Sequence, residues 1–263
     1  MKPLYERDDV VLYHARWEDV VEQIGEVDLL CVDAPYSDRT HSGHNRGVAD
    51  ANKGTYAGGG ASTARRELDY DAWGPLDVRR FCEAWLPRTR GWSVSITDHV
   101  LMPWWEREWQ RAGRYTFPPV AFVDRGASAR LCGGGPSSYT MQVSVSRPRN
   151  VEFARWPTTS GDYVVPPGHH QKLKGVTGGK PLWLLLRILE DYSRPGDLVC
   201  DPCAGAGTAG RAALELGRRA ILIEQDEETA HLAAAELARP VPGRLFDLAG
   251  RPEPEQLAIA EGS

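Results

Sequence analysis

A two-sided α/β fold with a mixed, mainly parallel sheet is the class that this 263-residue sequence predicts, on three observations. Val27–Val32 and Arg219–Ile223 are almost continuously apolar, as strands buried on both faces are. Residues 197–224 read strand, glycine loop, helix, strand, acid, the order of a nucleotide-type βαβ unit. With 41% hydrophobic and 25% charged residues, the chain has material for a proper core, which excludes global disorder.

The elements follow in order. Val10–Tyr13 is a short, partly β-branched strand, and apolar residues at 17, 20, 21 and 24 have helical spacing. The strand Val27–Val32 ends at Asp33-Ala34-Pro35-Tyr36. Residues 37–75 are Gly-rich and without periodicity, which predicts a flexible lid or binding loop. A helix over Leu76–Arg88, a strand over Trp92–Thr97 and a helix over His99–Ala112 come next. Strands are predicted at Val120–Val123 and Met141–Val145, with a Pro/Gly/His-rich stretch from Trp156 to Gly179. Lys180-Pro181 opens a helix to Tyr192, with proline allowed in its first turn. The strand Asp197–Cys200, the loop Asp201–Thr208, a helix to Leu216, the strand Arg219–Ile223 ending at Glu224, and a helix over Glu227–Ala238 complete the chain.

Composition narrows the function classes. A net charge of -5 excludes a wholly basic polyanion binder but leaves room for a local basic face. No apolar run reaches the ~18 residues a membrane helix needs, and acids stand where a signal peptide needs an apolar stretch. Five cysteines argue against a disulfide framework and for a reducing cytoplasm. The basic residues are 26 Arg to 5 Lys, which fits a GC-rich genome at least as well as phosphate recognition.

Gly205 and Gly207 remove the Cβ atoms that would keep a ligand away from the backbone between strand and helix. Glu224, about 20 residues later, stands where a carboxylate can accept both hydroxyls of a ribose. The loop lacks the Gly-Lys-Ser/Thr ending of a phosphate loop. Asp201 at the strand tip would repel a pyrophosphate and suits an ammonium, so the spacing favours S-adenosylmethionine over NAD or ATP. Cys200 and Cys203 form a C-x-x-C without further ligands at metal spacing, and read as small core residues. No metal is expected; His169-His170 has no matching carboxylate or cysteine spacing.

Two buried strands with charged tips belong side by side in one sheet. Asp33 and the Ala34 carbonyl would then hold the hydrogens of an exocyclic amine, and Tyr36 would stack on a planar ring. These residues carry a resemblance. Asp33-Ala34-Pro35-Tyr36 resembles the Asp-Pro-Pro-Tyr motif of S-adenosylmethionine-dependent DNA amino-methyltransferases. Residues Asp201-Pro202-Cys203-Ala204-Gly205-Ala206-Gly207-Thr208 look like their cofactor loop, and Lys180-Pro181 resembles the Lys-Pro segment beside the cofactor's methionine end. The order, catalytic turn before cofactor loop, is that of the permuted beta group. The resemblance implies a Rossmann-like class I methyltransferase sheet of seven strands in one catalytic domain, with a target-recognition insert over 124–175. It implies catalysis by Asp33, Ala34, Pro35 and Tyr36, and cofactor binding by Asp201, Pro202, Cys203, Gly205, Gly207, Thr208, Glu224, Lys180 and Pro181. Ala34 replaces the motif's first proline, where a backbone carbonyl does the work. Ala15-Arg16 replaces the Gly-Asp pair near the cofactor adenine, with Trp17 as a substitute.

The implied reaction is methyl transfer to a flipped base in double-stranded DNA, adenine N6 favoured over cytosine N4 because the motif begins with Asp. An RNA or protein amino-methyltransferase, or a DNA-binding protein that keeps the cofactor fold without turnover, are the alternatives. Residues 107–174 carry ten basic and four acidic residues, and 187–263 eight basic and fourteen acidic. DNA contacts are therefore expected from Arg39 and Arg46 in the lid and Arg125, Arg130, Arg147, Arg149 and Arg155 in the insert. Such an enzyme works in the cytoplasm, on the nucleoid, in a bacterium or phage-infected cell. A homodimer and a restriction partner both remain compatible with the sequence.

Overall fold

The computed structural model describes residues 1–7, 9–42, 71–125, 140–170 and 179–241. Its strands are β1 (Tyr5–Arg7), β2 (Val10–His14), β3 (Val27–Val32), β4 (Thr89–Thr97), β5 (Tyr115–Thr116), β6 (Val120–Val123), β7 (Thr140–Arg147), β8 (Asp162–Val164), β9 (Leu198–Asp201) and β10 (Arg219–Glu224). Between them lie the helices α1 (Trp17–Val20), α2 (Pro75–Trp85), α3 (Met102–Arg111), α4 (Val151–Ala154), α5 (Leu182–Tyr192), α6 (Thr208–Glu215) and α7 (Glu227–Leu237).

The ten strands among the described residues join one sheet in the order β1-β2-β10-β9-β3-β4-β7-β6-β8, with β5 beside β7. The five strands β2, β10, β9, β3 and β4 are parallel, and β7 runs against β4. The resemblance implies seven strands. The three additional ones, β1, β5 and β8, are two or three residues long; β1 and β8 are the edge strands, and β5 pairs with β7 inside the sheet.

Period-2 alternation explains the continuous apolar runs. Leu29 and Cys31 face a core built with Leu184, Ile188 and Ala212 from α5 and α6, whereas Leu30 and Val32 face Phe81, Trp85 and Trp105 from α2 and α3. Both sides of β3 are covered, so no polar alternation was available to the sequence. Trp85, Trp92, Trp105 and Trp109 are buried in these two cores, the packing role that bulky aromatic rings usually take. Helix α3 begins at Met102, three residues after the expected start, because the Asp98 carboxylate captures the amides of Val100 and Leu101 in a turn first.

The topology creates the site. From β9 the chain runs through α6 to β10 on one side, and from β3 through α2 to β4 on the other. The crevice between the carboxyl ends of β9 and β3 is therefore a topological switch point, where open α/β sheets bind ligands. No helix among the described residues is long and apolar enough to cross a membrane.

Candidate functional site

A cavity of about 680 Å³ opens at this switch point. Such a volume suits a small-molecule ligand of nucleoside size. Its wall includes Asp33, Ala34, Pro35 and Tyr36 from the turn after β3, and Asp201, Pro202, Cys203, Gly205 and Thr208 from the loop after β9. Glu224 at the end of β10 and Lys180 before α5 also line it. The two motifs, more than 160 residues apart in sequence, are thus brought together. Pro181 and Gly207, also expected at the cofactor, are not among the residues that line it. Pro181 caps α5 with φ -63°, and a residue before proline is held extended, so Lys180 stays outside the helix.

The glycine loop has the backbone its sequence demands. Gly205 has φ +51° and Gly207 φ +77°, both in the left-handed region. A Cβ on Gly205 would meet no protein atom within 4 Å, which leaves its outer side open to a ligand, whereas one on Gly207 would press on Ala233. Glu224 fixes the loop from below. Its Oε2 accepts the Gly205 amide at 2.7 Å and its Oε1 the Asp226 amide at 2.9 Å. Each carboxylate oxygen has a second lone pair, so capacity remains for two hydroxyls.

Three of the carboxylates that line the cavity stand at its strand tips, and their environments differ. Asp201 is buried and accepts the Cys203 amide at 3.1 Å. Burial, reinforced by the nearby charges of Asp33 and Glu224 and only partly offset by that amide and by Lys180, pushes its carboxyl up to about 8. Burial likewise raises Glu224, against the amides it accepts. Asp33 is more open, at 26% exposure, and accepts from Lys180 Nζ on Oδ2 and from the Tyr36 hydroxyl on Oδ1 at 2.9 Å. A cavity with this excess of carboxylates fits a cationic ligand.

Several wall residues have no counterpart among the expected site residues. Asp71, Trp73, Asp77 and Arg80 line the cavity from the stretch before α2 and from α2 itself, and Gln225, Asp226 and Thr229 from beyond β10. Ala15, Arg16, Trp17 and Glu18 line it as well. Trp17 also packs edge-on against Phe81, with ring centroids 5.4 Å apart. Asp98, at the end of β4, accepts the Ser37 amide at 3.0 Å, the Ser37 hydroxyl, and the Thr40 hydroxyl at 2.6 Å. It anchors the exit of the Asp33–Tyr36 turn. Its signal was available in the sequence, since it is another acid directly after a buried strand.

The arginines divide. Arg39 is exposed just beyond the Asp33–Tyr36 turn, and Arg125 is exposed past the end of β6, which lies at the carboxyl ends of the parallel strands. The structure does not bring Arg147, Arg149 and Arg155 to the cavity. Because β7 runs antiparallel, its last residue lies at the amino ends of the parallel strands, and Arg149 and Arg155 follow it there. Arg147 and Arg149 stack on Tyr115 at 4.8 and 5.4 Å. Arg46, Arg130, most of the 37–75 loop and much of the 124–175 segment lie outside the described residues. Within that segment, β7 and β8 belong to the main sheet, and His170 Nδ1 pairs with Asp124 Oδ1 at 2.6 Å. Among the described residues no group of three His, Cys, Asp or Glu side chains is placed to hold a metal.

Residues 132–235 match the family described as DNA methylase. The chain is similar to amino-methyltransferases of the Asp-Pro-Pro-Tyr type. It is 41% identical over 71 residues to the DNA adenine methyltransferase YhdJ of Escherichia coli strain K12, a match over 23% of this chain and 24% of that protein. The matches span under a quarter of the length of these curated relatives. In fold, the M1.HpyAVI complex with S-adenosylmethionine superposes with a TM-score of 0.61 at 18% identity, covering 88% of this chain and all of the other. The cytosine-N4-specific PvuII DNA methyltransferase gives a TM-score of 0.62 at 13% identity over 91% of this chain and 89% of its own. A class I methyltransferase sheet is thus the architecture of this protein.

Proposed function

We propose that this protein transfers a methyl group from S-adenosylmethionine to an exocyclic amine of a flipped base in double-stranded DNA, adenine N6 in preference to cytosine N4. The observation that carries the reading is the meeting of two acid-tipped strands, Asp33 on β3 and Asp201 on β9, in one cavity at the switch point. The residues fit the cofactor. Asp201 would bind its ammonium, Glu224 its ribose hydroxyls, and the open side of Gly205 would admit it against the backbone, with Pro202, Cys203 and Thr208 around it. Trp17 would cover the adenine. When bound, S-adenosylmethionine supplies an electrophilic methyl group on a sulfonium.

The protein's own part is to present the nitrogen. Asp33 and the Ala34 carbonyl accept the two amine hydrogens, which turns the nitrogen lone pair toward the cofactor, and Pro35 shapes the turn. Tyr36 offers its ring to the base. A base inside a duplex cannot reach this pocket, so it must leave the stack at a cost of a few kcal/mol, offset by these contacts. Arg39 and Arg125, at the same end of the sheet, face the phosphates in this arrangement. The 124–175 segment, outside its sheet strands, would read the target. The adenine preference rests on an Asp-first motif.

The test is to incubate the protein with methyl-labelled S-adenosylmethionine and, in parallel, duplex DNA, RNA and a mixed protein acceptor. Label enters duplex DNA on this reading. Label entering only RNA or protein, or no acceptor at all, overturns it.

A further inference from the structure

We propose that Lys180 serves the amine end of the cavity instead of the cofactor. It is a positioning residue that holds the Asp33 carboxylate and the Tyr36 ring in the geometry that receives the target nitrogen. The inference rests on the methyl-transfer reading above and reassigns a residue that the sequence resemblance places beside the cofactor's methionine end.

Lys180 is only 6% exposed, and its ammonium donates to Asp33 Oδ2. The other oxygen of the same carboxylate accepts the Tyr36 hydroxyl at 2.9 Å. The ammonium also lies 5.2 Å from the centroid of the Tyr36 ring, within cation–π range. One buried cation thus touches both Asp33 and Tyr36, two of the groups that the base-binding turn offers. Its partner lies across the crevice, on an element 147 residues away in sequence. Burying a lysine is costly unless its charge is paired, so the pairing with Asp33 is what allows Lys180 to sit there.

The geometry leaves the acceptor usable. A carboxylate has about four lone-pair sites, and Tyr36 and Lys180 take two, which fixes its rotation and leaves the others for amine hydrogens. The charge distribution points the same way. Asp201, on the neighbouring strand, has no cation within ion-pair distance among the described residues, and Glu224 faces the same cavity. An ammonium committed to Asp33 makes the β3 tip a poor place for the cofactor's cationic groups and leaves the β9 tip as the attractive one. Lys180 therefore keeps the two acids in separate roles. A lysine that held the cofactor's carboxylate would instead be needed for cofactor affinity.

The experiment compares Lys180→Met and Lys180→Arg with the wild-type chain. Three quantities are read: the dissociation constant for labelled S-adenosylmethionine, the single-turnover transfer rate to duplex DNA at saturating cofactor, and the 13C carboxyl resonance of Asp33, assigned by its absence in Asp33→Asn. Lys180→Met is expected to slow transfer about a hundredfold, the cost of a misplaced reacting group, with cofactor affinity unchanged within about threefold. Its Asp33 resonance moves, and Lys180→Arg recovers part of the rate. Cofactor affinity falling as far as the rate, or a wild-type rate in Lys180→Met, overturns the proposal. An unmoved Asp33 resonance overturns it whatever the activity. Should the wild-type chain methylate no DNA while the resonance still moves, the methyl-transfer reading fails and the Lys180–Asp33 pairing stands.

Discussion

Asp33 and Asp201 end neighbouring parallel strands and face one cavity, yet the chain treats them in opposite ways. Asp33 is partly open, held by a lysine and a tyrosine, and its turn is anchored from behind by Asp98. Asp201 is buried with two other acids nearby and a single backbone amide for support. The first is an acceptor fixed in place before any ligand arrives. The second is a carboxylate whose charge is costly until a cation meets it. On the proposed reading the switch point supplies two adjacent acids for two jobs, and their surroundings divide the labour.

Substitutions at the two tips should therefore fail differently, most severely at Asp33. Asp33→Ala is expected to lower methyl transfer about a thousandfold, the upper range for loss of one preorganised hydrogen-bonding group at a reacting centre, with cofactor affinity kept. Equal losses in both, by equilibrium dialysis and single-turnover assay, would erase the distinction.

Asp98 comes next. Burial opposes its ionisation, but hydrogen bonds from Ser37, Thr40 and the Leu101 amide outweigh it and hold its carboxyl below the ordinary value. Its stabilisation is therefore present at neutral pH and lost as pH falls through that lowered value. Asp98→Ala should cost about 3 kcal/mol in urea unfolding, since it breaks a buried charged network. The deficit shrinks toward zero in acid. A deficit that stays constant down to acid pH would mean that the charge is not what stabilises the turn.

Asp201→Asn sharpens the contrast further. It should weaken S-adenosylmethionine binding about a hundredfold, as loss of a charged hydrogen bond does, while raising the melting temperature of the ligand-free protein. The sign follows from the raised carboxyl. The folded chain holds this proton more tightly than the unfolded one, so the group's contribution to stability falls as pH rises toward about 8. Cofactor affinity should rise over the same range, as Asp201 ionises, and level off above it. An affinity that is flat between pH 6 and about 8 in calorimetry would remove Asp201 from the ammonium site. The smallest effect is expected at the edge of the cavity, where Trp17→Ala should weaken the cofactor about tenfold through lost ring contact.

The β3 and β9 tips were legible because each is a mostly apolar strand that ends abruptly at an acid, Asp33 and Asp201. Helix α5 and the βαβ unit of β9, α6 and β10 were legible for the same reason. The arginines were not. Whether Arg125 or Arg147 stands at the cavity end depends on strand direction, and residue order alone does not reveal that β7 runs against β4. The strands β5 and β8, of two and three residues, carry too little pattern to register. Asp98 was visible in sequence as an acid after a buried strand, but its work is to hold a turn 61 residues away, which only tertiary contact displays.

The division of labour is tested most directly by preloading the protein with methyl-labelled S-adenosylmethionine, then adding duplex DNA with excess unlabelled cofactor and digesting the DNA to nucleosides. The account predicts a single-turnover burst of label in N6-methyladenine, which disappears in Asp33→Ala although that variant still carries the labelled cofactor. Label that remains on the cofactor in the wild-type chain, or an undiminished burst in Asp33→Ala, would contradict it.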